Sequence, residues 1–238
     1  MFNLPLLTYI RQGDLMGALA YLAGCLIIIF LVLPFHEYAH GFAANKLGDS
    51  TARYSGRLSL NPMRHIDWMG AALIIAVGVG WARPVPVNMR YFKHPKRDMA
   101  LTALAGPCSN LLMALVSLLL FNSIRTLFTF WKPSFLVTSE IALVILSFVL
   151  ETLEMITVRN VSLAAFNLLP VPPLDGSRLL TALLPNGLYY KIMQYEQYIM
   201  IGLFVLIFLG VLDGPLNFIR TYALQGLVWL ADLPFRFF

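Results

Sequence analysis

Two histidines and a glutamate stand together in the stretch LPFHEYAHGF. His36 and His40 are four residues apart, so on an α-helix their side chains lie on one face, one turn apart, as two imidazole ligands of one metal ion require. Glu37 lies beside them, where a carboxylate can accept a proton from water without binding the metal itself. The pattern predicts a metal-dependent hydrolase, although HExxH is short enough to occur by chance.

This motif lies at the end of an apolar stretch that begins near Leu15. Ionisable side chains inside a membrane span each cost about 2.5 to 3.5 kcal/mol on insertion scales, so three of them in one stretch need a compensating interaction. A bound metal ion supplies such an interaction. The location therefore makes a chance match less plausible than it would be in a soluble protein.

A catalytic zinc ion takes three protein ligands and leaves a fourth position open, so we expect a third ligand elsewhere in the chain. Asp175 is the best candidate, because Pro170, Pro172 and Pro173 end the preceding helix and make the backbone before it irregular. Irregular backbone at membrane depth is tolerated where it faces protein or a wet cavity. The spacing fits a metal ligand and the cap of a helix over residues 177–184 equally well.

The composition is that of an integral membrane protein. Of 238 residues, 59% are hydrophobic and 12% are charged, against about 25% charged residues in soluble domains. The mean hydropathy is +0.74. The net charge of +5 is small, and it indicates membrane orientation and no nucleic-acid partner.

We expect a single membrane-embedded domain over residues 1–238, an all-α bundle of four to six transmembrane helices with a re-entrant segment and a short β-hairpin on the cytoplasmic side. Its predicted parts are a span at 15–47 with HExxH, a cytoplasmic hairpin and re-entrant loop at 48–98, spans at 99–121, 135–169 and 192–212, and a span or interfacial helix at 215–235.

Three motifs together resemble the site-2 protease family of intramembrane zinc metalloproteases. They are HEYAH, the stretch AGPCSN at residues 105–110, which matches G-P-x-x-N, and the pattern N-x-x-P-x-x-x-L-D-G that runs from Asn167 to Gly176. The chain resembles a compact subgroup that lacks PDZ or CBS modules.

The resemblance implies a zinc cofactor, the lipid bilayer as surroundings, and transmembrane segments of other proteins as substrates. It also implies a role for each of six residues. These are His36, His40 and Asp175 as zinc ligands, Glu37 as general base, and Asn110 and Asn167 as polar groups near the substrate or the developing oxyanion.

The ligands must converge on one ion, and this requirement predicts how residues 66–80 cross the membrane. If these residues spanned fully, Asp175 and the histidines would sit toward opposite faces of the bilayer. If they dip in and return, all three motifs meet. The segment has about 15 residues and would be about 22 Å long as a helix, which is short for a span. We therefore predict a re-entrant loop.

The distribution of basic residues favours the same topology. Nine of the seventeen Lys and Arg residues lie between residues 46 and 97, and the re-entrant arrangement puts all nine on one side of the membrane. Because cytoplasmic loops collect Lys and Arg, that side is expected to be the cytoplasm, with the active site opening toward it. A prokaryotic plasma membrane is the expected location.

Residues 51–60 and 82–88 are predicted to form the hairpin, whose exposed edge could accept an unwound substrate by strand addition. The alternative is a plain cytoplasmic hairpin. Gly41 and Gly106 are expected to permit close approach of helices. The roles of His65, Glu151 and Glu154 stay open, as does the oligomeric state. A second class of function is a metal-binding transporter or channel, since His and Asp inside a membrane also mark ion paths.

Overall fold

The computed structural model describes residues 4–78, 80–131 and 139–236, and within them the chain is almost entirely helical. The helices in this part of the chain are α1 (Pro5–Gln12), α2 (Leu15–Leu47), α3 (Thr51–Tyr54), α4 (Trp68–Val77), α5 (Pro95–Trp131), α6 (Glu140–Asn167), α7 (Asp175–Leu183), α8 (Asn186–Met193), α9 (Glu196–Phe208) and α10 (Asp213–Asp232).

Helices α2, α5 and α6 are long and apolar enough to cross a membrane. Helix α2 has 33 residues and α6 has 28, whereas about 20 residues cross the hydrocarbon core. The predicted all-α membrane protein is thereby confirmed, and spans beyond these three stay a prediction. Residues 135–138, at the start of the predicted span 135–169, lie outside the described residues.

Helix α5 is the centre of the bundle and packs against α2, α6, α7 and α10. Ala114 of α5, Val161 of α6 and Leu227 of α10 form one buried apolar cluster. A second cluster joins the first half of α2 to α4 and includes Cys25 and Ile74. Helices α2 and α5 also lie side by side, and α2 carries the two histidines predicted as metal ligands.

The chain between residues 66 and 82 turns back on itself. Ile66 and Ala82 form an isolated antiparallel bridge, and Gly78 ends α4 with a φ of 82° that favours glycine. Gly70 lets the returning chain pass close by, since a Cβ there would lie 3.0 Å from the backbone nitrogen of Trp81. A re-entrant loop requires that its two ends lie next to each other, as the ends of this segment do. The depth of the segment in the bilayer stays a prediction.

Tyr21 and Arg159 hold the far end of this turn. The Tyr21 hydroxyl shares its one hydrogen between the carbonyl oxygens of Ile74 (3.2 Å) and Ile75 (3.1 Å). Arg159 Nη1 donates to the carbonyl oxygen of Gly78 (2.7 Å). The Ile74 carbonyl also accepts from the Gly78 N–H at the C-cap over 3.0 Å, and a cation suits a helix C-terminus, where carbonyl oxygens lack the regular helical partner. The two α2 and α6 side chains thus fix the tip of the loop inside the bundle.

The predicted β-hairpin of residues 51–60 and 82–88 is wrong. The described residues contain no strand, and their antiparallel pairing is limited to the isolated bridge above. The first segment begins with the short helix α3. The second segment is extended, but Pro84 and Pro86 remove two donors that a strand ladder needs, and the Arg57 side chain occupies carbonyls that a partner strand would use.

Helix α10 closes the bundle at the C-terminal end of the described chain. Leu227 and Ala231 are buried against α5 and α6, and Asn122 Nδ2 donates to Asp232 Oδ1 over 2.9 Å. Within the predicted span 192–212 the chain is helical as α9, which has 13 residues. Helix α10 packs against α5 and α6, and α5 also packs against α2 and α7, which carry the candidate metal ligands.

Candidate metal centre

Helix α2 carries both histidines, and a π-helical turn at Ile28–Val32 precedes them. Pro34 has no N–H, and in a regular α-helix its ring would clash with the carbonyl four residues earlier. The wider turn lets the helix continue through the proline. His36 and His40 then lie on one face of α2 and are 5% and 8% exposed.

Asp175 reaches the histidines from the first turn of α7. Gly176 lets this helix start directly against the end of α6, since a Cβ there would collide with the carbonyl oxygens of Leu168 and Leu169. The residue at the N-cap position is Leu174. Asp175 therefore does not occupy the capping position that the spacing left open, and its carboxylate points to α2.

Three ligand atoms converge at this point. His36 Nε2 and His40 Nε2 are 3.0 Å apart, and Asp175 Oδ2 lies 3.2 Å from the first and 3.3 Å from the second. Ligands at 2.0 to 2.1 Å from a tetrahedral zinc ion are about 3.3 Å from one another. The spacing of the three atoms fits a single ion, and these residues could hold one.

The hydrogen bonds around the cluster favour a bound cation. His40 Nδ1 lies 2.8 Å from the carbonyl oxygen of Thr102, so this nitrogen carries the proton and Nε2 presents a lone pair. A carboxylate oxygen and an imidazole lone pair then face each other in a buried site, where a cation stabilises both.

Gly106 brings α5 against the two imidazoles. A Cβ at this position would lie 2.5 Å from His40 Cε1 and 2.6 Å from His36 Cε1, much closer than any real contact. The expectation that Gly106 permits close helix approach is thus met in a particular way: the close neighbours are the two imidazole rings themselves. Pro107 follows within the same helix.

Glu37 lies beside the cluster and is 8% exposed. Its Oε2 accepts a hydrogen bond from the backbone N–H of Val85 over 2.8 Å. Among the described residues its Oε1 has no hydrogen-bond partner, which leaves that oxygen for a proton transfer. The extended segment 82–88, predicted as a hairpin strand, thus lies directly against this carboxylate.

Asn110 and Asn167 have different surroundings. Asn110 is 1% exposed, lies one helical turn after Gly106 on α5, and neither its Oδ1 nor its Nδ2 has a partner in the described chain. A buried amide without a partner is costly and needs a water or a ligand. Asn167 is half-buried at the end of α6, and no described contact joins its side chain to the metal centre.

Some contacts at this site could not be read from side-chain patterns. The Thr102 carbonyl, which contacts His40, and the Val85 N–H, which contacts Glu37, are backbone groups. A signal in the sequence was available only for Val85, because its N–H is the single one in the Pro-Val-Pro stretch. His65, whose role was open, is fully buried with Nε2 2.6 Å from the carbonyl oxygen of Ser59. Burial lowers the pKa of His65, so its ring is neutral at pH 7.

Two buried histidines and two carboxylates gathered inside a bundle of apolar helices define a metal-dependent hydrolase of the membrane. The chain belongs to Peptidase family M50, whose family model matches residues 24–210. The resemblance to the site-2 proteases is confirmed, and with it the class of metalloendopeptidase that acts on membrane proteins within the bilayer. A transporter or channel is not favoured.

Proteins similar to this chain are named as zinc metalloproteases. YwhC of Bacillus subtilis (strain 168) is 40% identical over 175 residues, which are 72% of this chain and 75% of that protein. Rip2 of Mycolicibacterium smegmatis is 29% identical over 172 residues, 69% of this chain and 60% of that protein. Rip2 of Mycobacterium tuberculosis (H37Rv) is 28% identical over 237 residues, 93% of this chain and 79% of that protein. No solved structure matches the chain significantly.

Proposed function

We propose that His36, His40 and Asp175 bind the zinc ion of an intramembrane endopeptidase and that Glu37 is its general base. The observation that carries this proposal is the convergence of three ligand atoms within 3.0 to 3.3 Å of one another in a buried site. When bound, zinc polarises the scissile carbonyl and lowers the pKa of its water toward about 7.

Glu37 moves the proton in this mechanism. With Oε2 held by the Val85 N–H, Oε1 accepts the proton that the attacking water loses. The same oxygen then delivers the proton to the amine nitrogen as the peptide bond breaks. Burial of the carboxylate keeps bulk water from competing for it, so the proton passes between water, carboxylate and amine.

Asn110 and Asn167 are the proposed partners of the substrate backbone. A peptide in a helix has its carbonyls occupied, so the substrate segment unwinds before cleavage, and its freed backbone groups then need partners inside the membrane. The buried and unpaired amide of Asn110 is suited to donate to the developing oxyanion. Asn167, at the end of α6, is proposed as a second partner of the substrate backbone on the strength of its place in the N-x-x-P-x-x-x-L-D-G motif.

The proposed orientation has the site opening to the cytoplasmic side of a bacterial plasma membrane. The bridge between Ile66 and Ala82 supports it, because it brings the chain before and after α4 to the same level. Nine of the seventeen Lys and Arg residues then share one side, as cytoplasmic loops do. Substrates are transmembrane segments of other proteins.

Zinc analysis and cleavage by purified Glu37→Gln test the residue assignments. The variant should keep zinc, since Glu37 is not a ligand, and lose about a factor of 10³ or more in cleavage of a single-span substrate. His40→Ala should lose both zinc and activity. Glu154→Gln, an exposed glutamate on α6, is the matched control and should behave as wild type. Wild-type cleavage by Glu37→Gln would overturn the proposed mechanism.

A further inference from the structure

The peptide group between Pro84 and Val85 joins two charged side chains. Its N–H donates to Glu37 Oε2 over 2.8 Å, and its carbonyl oxygen accepts from Arg57 Nη2 over 3.1 Å. In a trans peptide the N–H and the C=O point in opposite directions. The peptide therefore lies between a guanidinium on one side and the proposed general base on the other.

This arrangement is electrostatically matched at both ends. A peptide unit carries a dipole of about 3.5 D, and here its positive end faces the Glu37 carboxylate and its negative end faces the Arg57 cation. Hydrogen bonds to ionised groups are stronger than neutral ones, and bonds in a chain polarise one another. Arg57 thus acts on the Glu37 carboxylate by polarising the peptide between them, without a direct ion pair between the two side chains.

The surrounding sequence leaves Glu37 a single backbone donor in this stretch. Pro84 and Pro86 have no N–H, so Val85 carries the one N–H in residues 84–86. Arg57 Nη2 also donates to the carbonyl oxygen of Arg83 over 2.6 Å. Arg57 Nη2 therefore bonds the carbonyl oxygens of both Arg83 and Pro84. These two bonds fix the orientation of the Pro84–Val85 peptide plane.

The packing around the segment leaves it little freedom to find another position. Gly41, one turn beyond Glu37 on α2, lets Val85 pack against the helix, since a Cβ there would lie 3.3 Å from Val85 Cγ1 and 3.3 Å from Ala52 Cβ. The backbone N–H of Arg57 donates to the carbonyl oxygen of Ala52 over 2.8 Å. Arg57 and the segment it holds are therefore both fixed to the same part of α2.

We propose that Arg57 is a positioning residue for Glu37, acting through the Pro84–Val85 peptide. It orients the Val85 N–H toward Oε2, which fixes the carboxylate and keeps Oε1 directed at the water and the leaving amine. This inference rests on the proposed role of Glu37 as general base. Arg57 has no part in the proposed zinc binding or substrate contacts, so this is a separate role for it.

Kinetics on Arg57 variants test the effect on the reaction. Arg57→Ala should keep its zinc content and its KM for a single-span substrate cleaved by the wild type, while kcat falls by about 10- to 100-fold, the range for loss of an orienting partner. Added guanidinium ion should restore part of the lost kcat, and Arg57→Lys should be intermediate. Arg53→Ala removes an exposed cation from the neighbouring helix α3 and is the control.

Hydrogen exchange at the Val85 amide gives a readout that does not depend on activity. Because Pro84 and Pro86 have no amide hydrogen, Val85 contributes the one exchangeable backbone amide of residues 84–86, and NMR of the valine-labelled protein follows it. The Val85 amide should exchange faster in Arg57→Ala than in wild type and Arg53→Ala, since its acceptor is no longer aligned.

The outcomes separate this inference from the proposed function. If wild type cleaves substrate and Arg57→Ala has the same kcat, or loses kcat with unchanged Val85 exchange, Arg57 does not position Glu37 and the inference fails while the function stands. A rise in KM alone also overturns it, because that result indicates a substrate contact. If Val85 exchange responds but Glu37→Gln cleaves normally, the role of Glu37 fails instead.

Discussion

Replacing Gly106 with alanine tests the geometry of the metal centre with one added methyl group. The Cβ of Gly106→Ala would lie 2.5 Å from His40 Cε1, whereas ordinary contacts begin at 3.4 Å, so the structure must open by about 0.9 Å. Metal–ligand distances tolerate about 0.2 Å. A displacement of the ring by this amount therefore takes Nε2 out of coordination range.

A shift of helix α5, with the His40 ring left in place, would also weaken zinc binding. His40 Nδ1 is bonded to the Thr102 carbonyl of the same helix α5 at 2.8 Å, and a shift of about 0.9 Å would lengthen this distance to about 3.7 Å, beyond a hydrogen bond. Loss of such an outer partner costs about 10- to 100-fold in metal affinity, or about 1.4 to 2.7 kcal/mol. Either response therefore weakens zinc binding by at least this factor.

Competition with a chromogenic chelator measures the zinc affinity of the purified variant in detergent, and circular dichroism checks its helix content. Gly226→Ala on α10 is the matched control, since a Cβ there has no neighbour within 4 Å and zinc affinity should not change. A Gly106→Ala protein with native helicity and wild-type zinc affinity would refute the close approach of α5 to the imidazoles.

Two further predictions concern the re-entrant loop and its orientation. Tyr21→Phe removes both hydrogen bonds to the end of α4 and should lower the free energy of unfolding by about 1 to 3 kcal/mol, seen as a lower thermal midpoint in detergent, while the 88% exposed Tyr54→Phe should have no effect. Cysteines introduced as Arg53→Cys and Arg90→Cys should both be labelled by an impermeant thiol reagent from the cytoplasmic face; labelling from opposite faces would exclude a re-entrant loop.

The local part of the site could be predicted from sequence because it depends on helix periodicity alone. His36 and His40 share a face in any helix, and the cost of charges in a span made a metal the natural explanation. Asp175 could not be assigned from its own surroundings, since capping and ligation fit equally well and contact over 135 residues depends on the whole bundle. The resemblance to a family, and not the spacing, favoured ligation.

The backbone contacts could not be predicted, and the hairpin was wrong for a related reason. An extended stretch such as residues 82–88 has the same local pattern whether its hydrogen bonds go to a strand or to side chains. The partners here come from three separate places: Arg57, Glu37 and Asp49, whose Oδ2 accepts from the N–H of Asn88 over 2.6 Å. Prolines at alternate positions favour this outcome, because they leave too few donors for a ladder.

The segment that turns back around α4 contacts two charged side chains of the bundle, Arg159 of α6 and Glu37 of α2. At its tip, Arg159 binds the Gly78 carbonyl and lies 4.9 Å from the Tyr21 ring, so that a cation in α6 is neutralised by a helix C-terminus and an aromatic face. At its base, the same chain presents the Val85 N–H to Glu37. The segment is thus fixed to the bundle at two points, and the second of these is its contact with the proposed general base.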